Sequence, residues 1–456
     1  MRGGRSFLLL LVLALGLGAY IYFVESKRDL SESEKKAKVF TVETAKVAEL
    51  EVHASSGAVT KLKKTGDKWE IVAPAQSSVD EATVTSLVGA IAGLEVVKVL
   101  DENPSGVSQF GLEPPRYSVS FKTTGDEATH QLKVGSKTAT GSGVYARVDG
   151  QNRLLLVPSA EDETLNKTTF DLRDKRVLVF SRDSADAVTL AAKGAPVIGL
   201  AKKGSDWRLT SPMDARADFS PVDGLVGRLE QVHMSSLISE GSEPTPAELK
   251  TYGLDAPQLV ATVSTGSSKA TLAIGAKKYA TNLYARDLSR PMIFTVEPAL
   301  LTDLTKKADD LRVKDVFQFK SYSTNSLEIT HGATAVAYAK KKAASTTPAD
   351  AAAAEVWAQT KPAAKDVNQT AMTDLINTLS SLRVDRFVDK TPASGDDLIV
   401  VAHTGEGASA VEERVTLRKV GDTVYAIQTG ETTAGVVPTA DVDKALTQLK
   451  TLTDAK

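Results

Sequence analysis

The chain has 456 residues, 42% of them hydrophobic, a formal net charge of −2 and no cysteine. That length accommodates several domains. The missing thiols exclude disulfides, thiolate metal sites and a lipid-modified cysteine anchor, and the near-neutral balance gives no basic footprint for nucleic acid.

The first element is apolar. Phe7 to Val24, FLLLLVLALGLGAYIYFV, runs 18 residues without a charge, just long enough to span a bilayer once. Arg2 and Arg5 precede it, which favours the amino end inside. A cleaved signal peptide is the alternative. Against cleavage, the run is long, Tyr20, Tyr22 and Phe23 lie at its far edge as interfacial anchors do, and no small-x-small exit site follows. Residues 1–28 therefore read as a cytoplasmic N-terminus and signal anchor in the inner membrane, and residues 29–44 as a charged linker. The remainder is expected outside the cytoplasm, in the periplasm of a bacterium. The first 28 residues carry a net +3, which leaves that remainder at −5.

Beyond the linker the chain repeats itself. Trp69 and Trp207 lie 138 residues apart, with Pro74 and Pro212 at the same offset, and Trp357 is followed by Pro362 in the same way. Phe110–Pro115 reads FGLEPP and Tyr252–Pro257 reads YGLDAP; Tyr145-Ala146-Arg147 recurs as Tyr284-Ala285-Arg286, and Asp171-Leu172-Arg173 as Asp310-Leu311-Arg312. After each tryptophan the apolar residues fall at helical spacing. They are Val84, Leu87, Val88, Ile91 and Leu94; then Val222, Leu225, Val226, Leu229 and Val232; then Met372, Leu375, Ile376, Leu379 and Leu382. These offsets predict three tandem repeats of about 140 residues: 45–180, 181–319 and a degenerate third copy over 320–456.

Within a repeat the predicted order is constant. Two strands come first, Val59 to Lys63 and Lys68 to Val72, joined by a turn at Thr65-Gly66-Asp67. The amphipathic helix follows, its second copy opening on Ser220, Pro221 and Asp223. A short helix then stops at Gly111 or Gly253, where glycine can turn left-handed and the next Leu packs back. Thr245, Pro246 and Glu248 open its second copy, and Asn103 and Pro104 its first. A meander through Tyr117, Leu132, Tyr145 and Leu154 follows, and a last helix ends near Asp-Leu-Arg before the chain runs on as a strand. Strands in series with few helices predict α+β units with antiparallel sheets. The third copy lacks the Gly-Leu phrase and the Asp-Leu-Arg segment, and it carries a low-complexity insert over 339–355, expected to be mobile.

No constellation for chemistry stands out. The five histidines never pair at i, i+4 spacing, and no nucleophile elbow is present. No cofactor or metal is expected, and Gly141-Ser142-Gly143 reads as a hairpin turn. Arg147 and Arg286 are the candidate anion contacts, each more simply paired with a carboxylate of its own repeat such as Asp171 or Asp310. Trp69, Trp207 and Trp357 could stack on sugars, but their matched place beside the helix argues for core packing. With Gly111, Gly253, Pro74, Pro212 and Pro362 they are markers of the repeat.

The succession of Trp and Pro, apolar helix, Tyr/Phe-Gly-Leu-Asp/Glu-x-Pro, Tyr-Ala-Arg and Asp-Leu-Arg behind an N-terminal span resembles the bacterial family known as domain of unknown function 4340. Residues 45–319 carry the motifs in two copies. The family has no established activity. The resemblance implies a context, since members are often encoded beside ABC transporter components of the gliding-motility-associated type. The expected function is thus a membrane-anchored, non-catalytic periplasmic accessory or scaffold whose partners are transporter subunits. A glycan- or anion-binding envelope protein is the alternative, and a hydrolase comes last.

Overall fold

The computed structural model describes residues 37–278, 281–342, 355–405 and 410–454. The Phe7–Val24 segment and most of the insert lie outside the described residues. Among the described residues no helix is long and apolar enough to cross a membrane. The chain divides into two compact units, the first ending at Lys175 and the second running from Arg176 to Lys456.

Among the described residues the first unit contains nine strands: β1 (Val47–His53), β2 (Val59–Thr65), β3 (Lys68–Ala73), β4 (Ser77–Ser78), β5 (Lys98–Asp101), β6 (Tyr117–Thr123), β7 (Asp126–Lys137), β8 (Gly143–Val148) and β9 (Leu154–Pro158). They form one sheet in the order β4-β3-β2-β1-β6-β7-β8-β9-β5. Between the two edge strands in sequence stands the helix Glu81–Gly93. It carries the chain from one edge of the sheet to the other. The second unit holds two further nine-stranded sheets in that same order, one drawn from strands between Ala187 and Val296, the other from strands between Thr324 and Val437. The protein is α+β, with three antiparallel sheets in tandem.

The helix forms for reasons repeated three times. Asp80, Asp218 and Asn368 stand just before it and accept from the backbone N–H groups of Thr83, Ser220 and Ala371, satisfying donors that the first turn leaves open. The cap of the second copy is therefore Asp218 rather than Ser220. Its apolar stripe turns to the sheet. Val84, Leu87, Val88, Ile91 and Leu94 are all buried, as are both matching sets. Each such side chain contributes about 1.5–3 kcal/mol on leaving water.

Four strands, not two, precede the helix: β1 pairs with β2 on one side and β6 on the other, in the interior of the sheet. The short edge strands β4 and β5 also carry too few residues to show a period. The third sheet is complete, so that copy is degenerate in sequence but not in strand order. Its strands Thr334–Lys342 and Glu355–Lys361 extend into both ends of the low-complexity segment.

Backbone pairing fixes where each repeat begins. Val39 N–H donates to Leu94 O and Val96 N–H to Ala37 O, joining the incoming chain to the end of the helix. Val177 to Val232, and Val316 to Leu382, repeat the bond. These segments precede the expected boundaries at 45, 181 and 320. The outgoing chain takes the opposite end of the helix: Asp80 N–H donates to Leu172 O, and Asp218 N–H to Leu311 O.

Candidate functional site

The Gly-Leu phrase is seated on a bulge. In the first repeat the helix before Gly111 is a single 3-10 turn, Ser108–Phe110, and Asn103 and Pro104 stand outside it. In the second repeat it is Pro246–Thr251, opened by Thr245 and Glu248 in a capping box. Gly111 and Gly253 have φ of 69° and 66°, where a Cβ is disfavoured. Opposite them the meander strand slips register between Val134 and Lys137, and between Ile274 and Lys277. Gly135 and Gly275 lie inside those slips, and a Cβ on either would strike the carbonyl of Phe110 or Tyr252. Arg116 Nε and Gln258 Nε2 then donate to the carbonyls of Gly135, at 3.0 Å, and Gly275, at 2.5 Å. The third repeat lacks the phrase, and its matching strands, Val411–Val420 and Thr423–Gln428, pair without a slip.

The Tyr-Ala-Arg segment packs onto the same feature. Phe110 and Tyr145 have ring centroids 4.8 Å apart, and Tyr252 and Tyr284 4.5 Å. Arg147 Nε donates to Gln151 O at 2.9 Å, and its guanidinium lies 3.9 Å from Glu113, the acid of the phrase. Arg286 donates to Glu243 at 3.2 Å. The expected partners Asp171 and Asp310 are occupied differently, each closing the first turn of its own short helix. Asp171 is held below the ordinary carboxylate range, its burial outweighed by the hydrogen bonds of Thr168.

The tryptophans are core residues: Trp69, Trp207 and Trp357 are 7%, 4% and 7% exposed. Trp69 belongs to one cluster with Val84, Val88 and Ile91, and Trp357 to one with Met372 and Ile376. Trp357 is as deep as Trp69 despite its place beside the insert. The peptide bonds before Pro74, Pro212 and Pro362 are all cis. In the outer repeats the tryptophan backbone is clamped by the first residue of the helix. Trp69 N–H donates to Glu81 Oε1 at 3.3 Å, and Trp357 N–H to Gln369 Oε1 at 2.8 Å, while Gln369 Nε2 returns a bond to Trp357 O at 2.9 Å. The middle repeat places Phe219 at this position, 63% exposed.

Within the second unit, charged residues gather where the second repeat meets the third. Arg312, of the Asp-Leu-Arg segment, is 2% exposed. It donates to Glu431 at 3.1 Å and Thr433 at 2.7 Å, and lies 3.5 Å from the centre of the Phe387 ring. Burial pushes its guanidinium below the usual arginine value, against the pull of Glu431 and Asp309. Arg216 reaches Glu431 at 3.3 Å and Glu413 at 3.9 Å. Glu413 in turn accepts from the backbone of Gln318 and Phe319. Arg312 thus fastens the second repeat to the third. Arg173 is buried in the same position of the first repeat.

Two hollows open beside this network. One, of about 500 Å³, is bordered by Arg208, Arg216, Arg414, Glu413 and Glu431. The other, of about 400 Å³, is bordered by Trp207, Phe219, Asp218 and Asp315. Lys203, Arg208, Arg216 and Gln318 belong to both, so the two lie side by side. Sequence reasoning missed Phe219, Arg216, Glu413 and Glu431. Phe219 was open to discovery, since its offset from Trp207 equals those of Glu81 and Gln369 from their tryptophans. The others contact residues more than a hundred positions away and carry no local signature. Among the described residues no His/Asp/Glu group is placed to hold a metal ion.

Fold and site together define a tandem-repeat α+β protein whose recurring arginines pair with carboxylates of the chain itself. Residues 69–206 and 207–398 match the family described as Domain of unknown function (DUF4340), and the chain belongs to that family. The matched blocks open at the equivalent residues Trp69 and Trp207. Comparison with curated proteins and with solved structures gives no match.

Proposed function

We propose that this chain is a non-catalytic scaffold, held at the inner membrane by Phe7–Val24 with its repeats in the periplasm, and associated with an ABC-type transport system of the gliding-motility-associated kind. One observation carries the reading. The polar side chains that recur from repeat to repeat are consumed in holding the fold, as Arg147 on Glu113, Arg286 on Glu243 and Arg312 on Glu431. Such use of recurring groups fits a protein whose product is its surface. The apolar segment and its charged linker supply the tether, and the family resemblance supplies the transporter context. The engagement of Arg147 and Arg286 inside their own repeats leaves the anion-binding alternative with less support.

The deciding experiment is purification of the full chain from membranes in mild detergent. Recovery of permease and ATPase subunits in fixed ratio is the expected result. A monodisperse lone protein carrying glycan would overturn the reading. A phosphatase fused after Lys456 is expected to be active, with the fusion pelleting with membranes. A shortened soluble form would show that the tether is a cleaved signal.

A further inference from the structure

The edge strand before each crossing helix is two residues long, and in the first two repeats the outgoing chain closes it. Asp80 N–H donates to Leu172 O at 2.9 Å and Asp174 N–H to Ser78 O at 3.0 Å, on either side of a bridge between Val79 and Arg173. In the second repeat Asp218 N–H donates to Leu311 O at 2.8 Å and Val313 N–H to Arg216 O at 3.1 Å, around Ala217 and Arg312. The third repeat keeps the edge strand, Lys365–Asp366, and the capping residue, Asn368. Its last helix is one uninterrupted element, Thr439–Asp454, where the other copies break into short helices that turn into the outgoing segment. Among the described residues no backbone carbonyl accepts from Asn368 N–H, and no bridge forms at Val367. Exposure follows the same division. Val79 and Ala217 are buried and Asp80 and Asp218 half-buried, whereas Val367 is half-buried and Asn368 exposed. Beside this edge lies a hollow of about 420 Å³ bordered by Leu446, Leu449, Lys450, Thr453 and His331. Thr453 O accepts from Lys365 Nζ at 3.4 Å, which places the hollow against the strand.

We propose that this open edge docks an extended segment of a partner protein by strand addition, with an aliphatic residue of that segment entering the hollow. The molecule displays the occupant's chemistry twice. Each outgoing segment brings a carbonyl to the cap N–H and, two residues on, an N–H to the edge strand. The residue that brings the carbonyl is a leucine, Leu172 or Leu311, each 0% exposed. An acceptor and a donor at that spacing are the signature of a peptide backbone, and a glycan has no counterpart to it. Main-chain bonds give such a complex its affinity and the apolar side chain its register. An edge left unpaired is a ready template for another chain, and the first two repeats show that this edge is shaped to be covered. The arginine of the outgoing segment is not part of what the third edge reads, because Arg312 finds Glu431 and Thr433 in the repeat that follows it.

This inference rests on the scaffold reading and names the surface that role would use. Hydrogen exchange of the full chain in detergent is the first measurement. The Asn368 amide is expected to exchange near its intrinsic rate while those of Asp80 and Asp218 are protected; equal protection of all three would mean the edge is already closed and would overturn the proposal. The probe for docking is a fluorescein-labelled nine-residue peptide copied from Lys307 to Asp315, titrated by anisotropy onto the full chain. Its mates carry an N-methyl group on the amide of the valine, or Leu311→Asp. The informative chain variant leaves every native residue in place and adds, after Lys456, a flexible Gly/Ser linker and a copy of the same nine residues, which fill the edge in cis. Saturable binding, weakened at least tenfold by N-methylation, by Leu311→Asp and by the added segment, is the expected result. Equal binding of the N-methylated peptide, or equal binding by the extended chain, would overturn the proposal. So would a native chain that dimerises and loses the dimer on extension, since the occupant would then be a second copy. Membrane partners that co-purify equally with the extended chain would reject this edge and leave the scaffold reading standing. Absence of any partner from both proteins would sink the scaffold reading, and the titration would still decide whether the edge takes a strand.

Discussion

At the scale of single residues, charge is spent on position. Asp162, with a side chain 5% exposed, is held by Arg116 and by Lys137 at 3.2 Å. Burial alone would raise its pKa, but the hydrogen bonds of Arg116 and Lys137 outweigh burial and hold it below the ordinary carboxylate value. The sign follows from linkage: a carboxyl depressed in the folded state stabilises fully above its unfolded pKa, and that stability is lost as pH falls through the folded value. Asp162→Asn is therefore expected to cost on the order of 2 kcal/mol at neutral pH. The gap from the native chain should narrow as the pH drops below about 4. Urea unfolding between pH 7 and pH 3 measures it, and a gap independent of pH would mean the carboxylate is not held as a charge.

Single elements show what a sequence discloses. The helix was legible three times over, because five apolar positions at a 3.6-residue period are a local property of the chain, whereas its caps Asp80, Asp218 and Asn368 were not read. So were the meander strands and the glycine stop. The bulge beneath the phrase was not. It appears only when Gly135 and Gly275 are set across from Gly111 and Gly253, and neither glycine breaks the alternation of its strand visibly. The partner of Arg312 was hidden for a related reason, since Glu431 lies 119 positions away and an ion pair leaves no period. The phrase and bulge act as one element. Gly253→Val forces a branched side chain into a left-handed position, and its Cβ would stand 2.9 Å from Ala276. A loss of at least roughly 1–2 kcal/mol is expected, read as a lower melting temperature of the second unit with co-purifying partners retained in the folded fraction. Normal melting with partners lost would instead make the phrase a recognition surface.

For the molecule as a whole, the same three-part scheme of incoming segment, crossing helix and outgoing segment has a mechanical meaning. In the first two repeats the chain arrives bonded to one end of the helix and leaves bonded to the other, through Val39 and Leu94, then Asp80 and Leu172, and again through Val177 and Val232, then Asp218 and Leu311. A pull on the two ends of such a repeat reaches these backbone bonds before it reaches the sheet, whose central strand β1 is paired on both sides. The incoming and outgoing segments are straps. A protein fixed at one end in a membrane and gripped at the other by a partner would carry load through them, yielding one repeat at a time. In an optical trap the chain should lengthen in discrete rips, each releasing on the order of 480 Å of extended chain for a 138-residue repeat. Removing the strap acceptor's register by Leu94→Pro should lower the force of one rip and leave the others unchanged. In the proposed role of a tether, resistance to stretching would reside in the places where each repeat begins and ends.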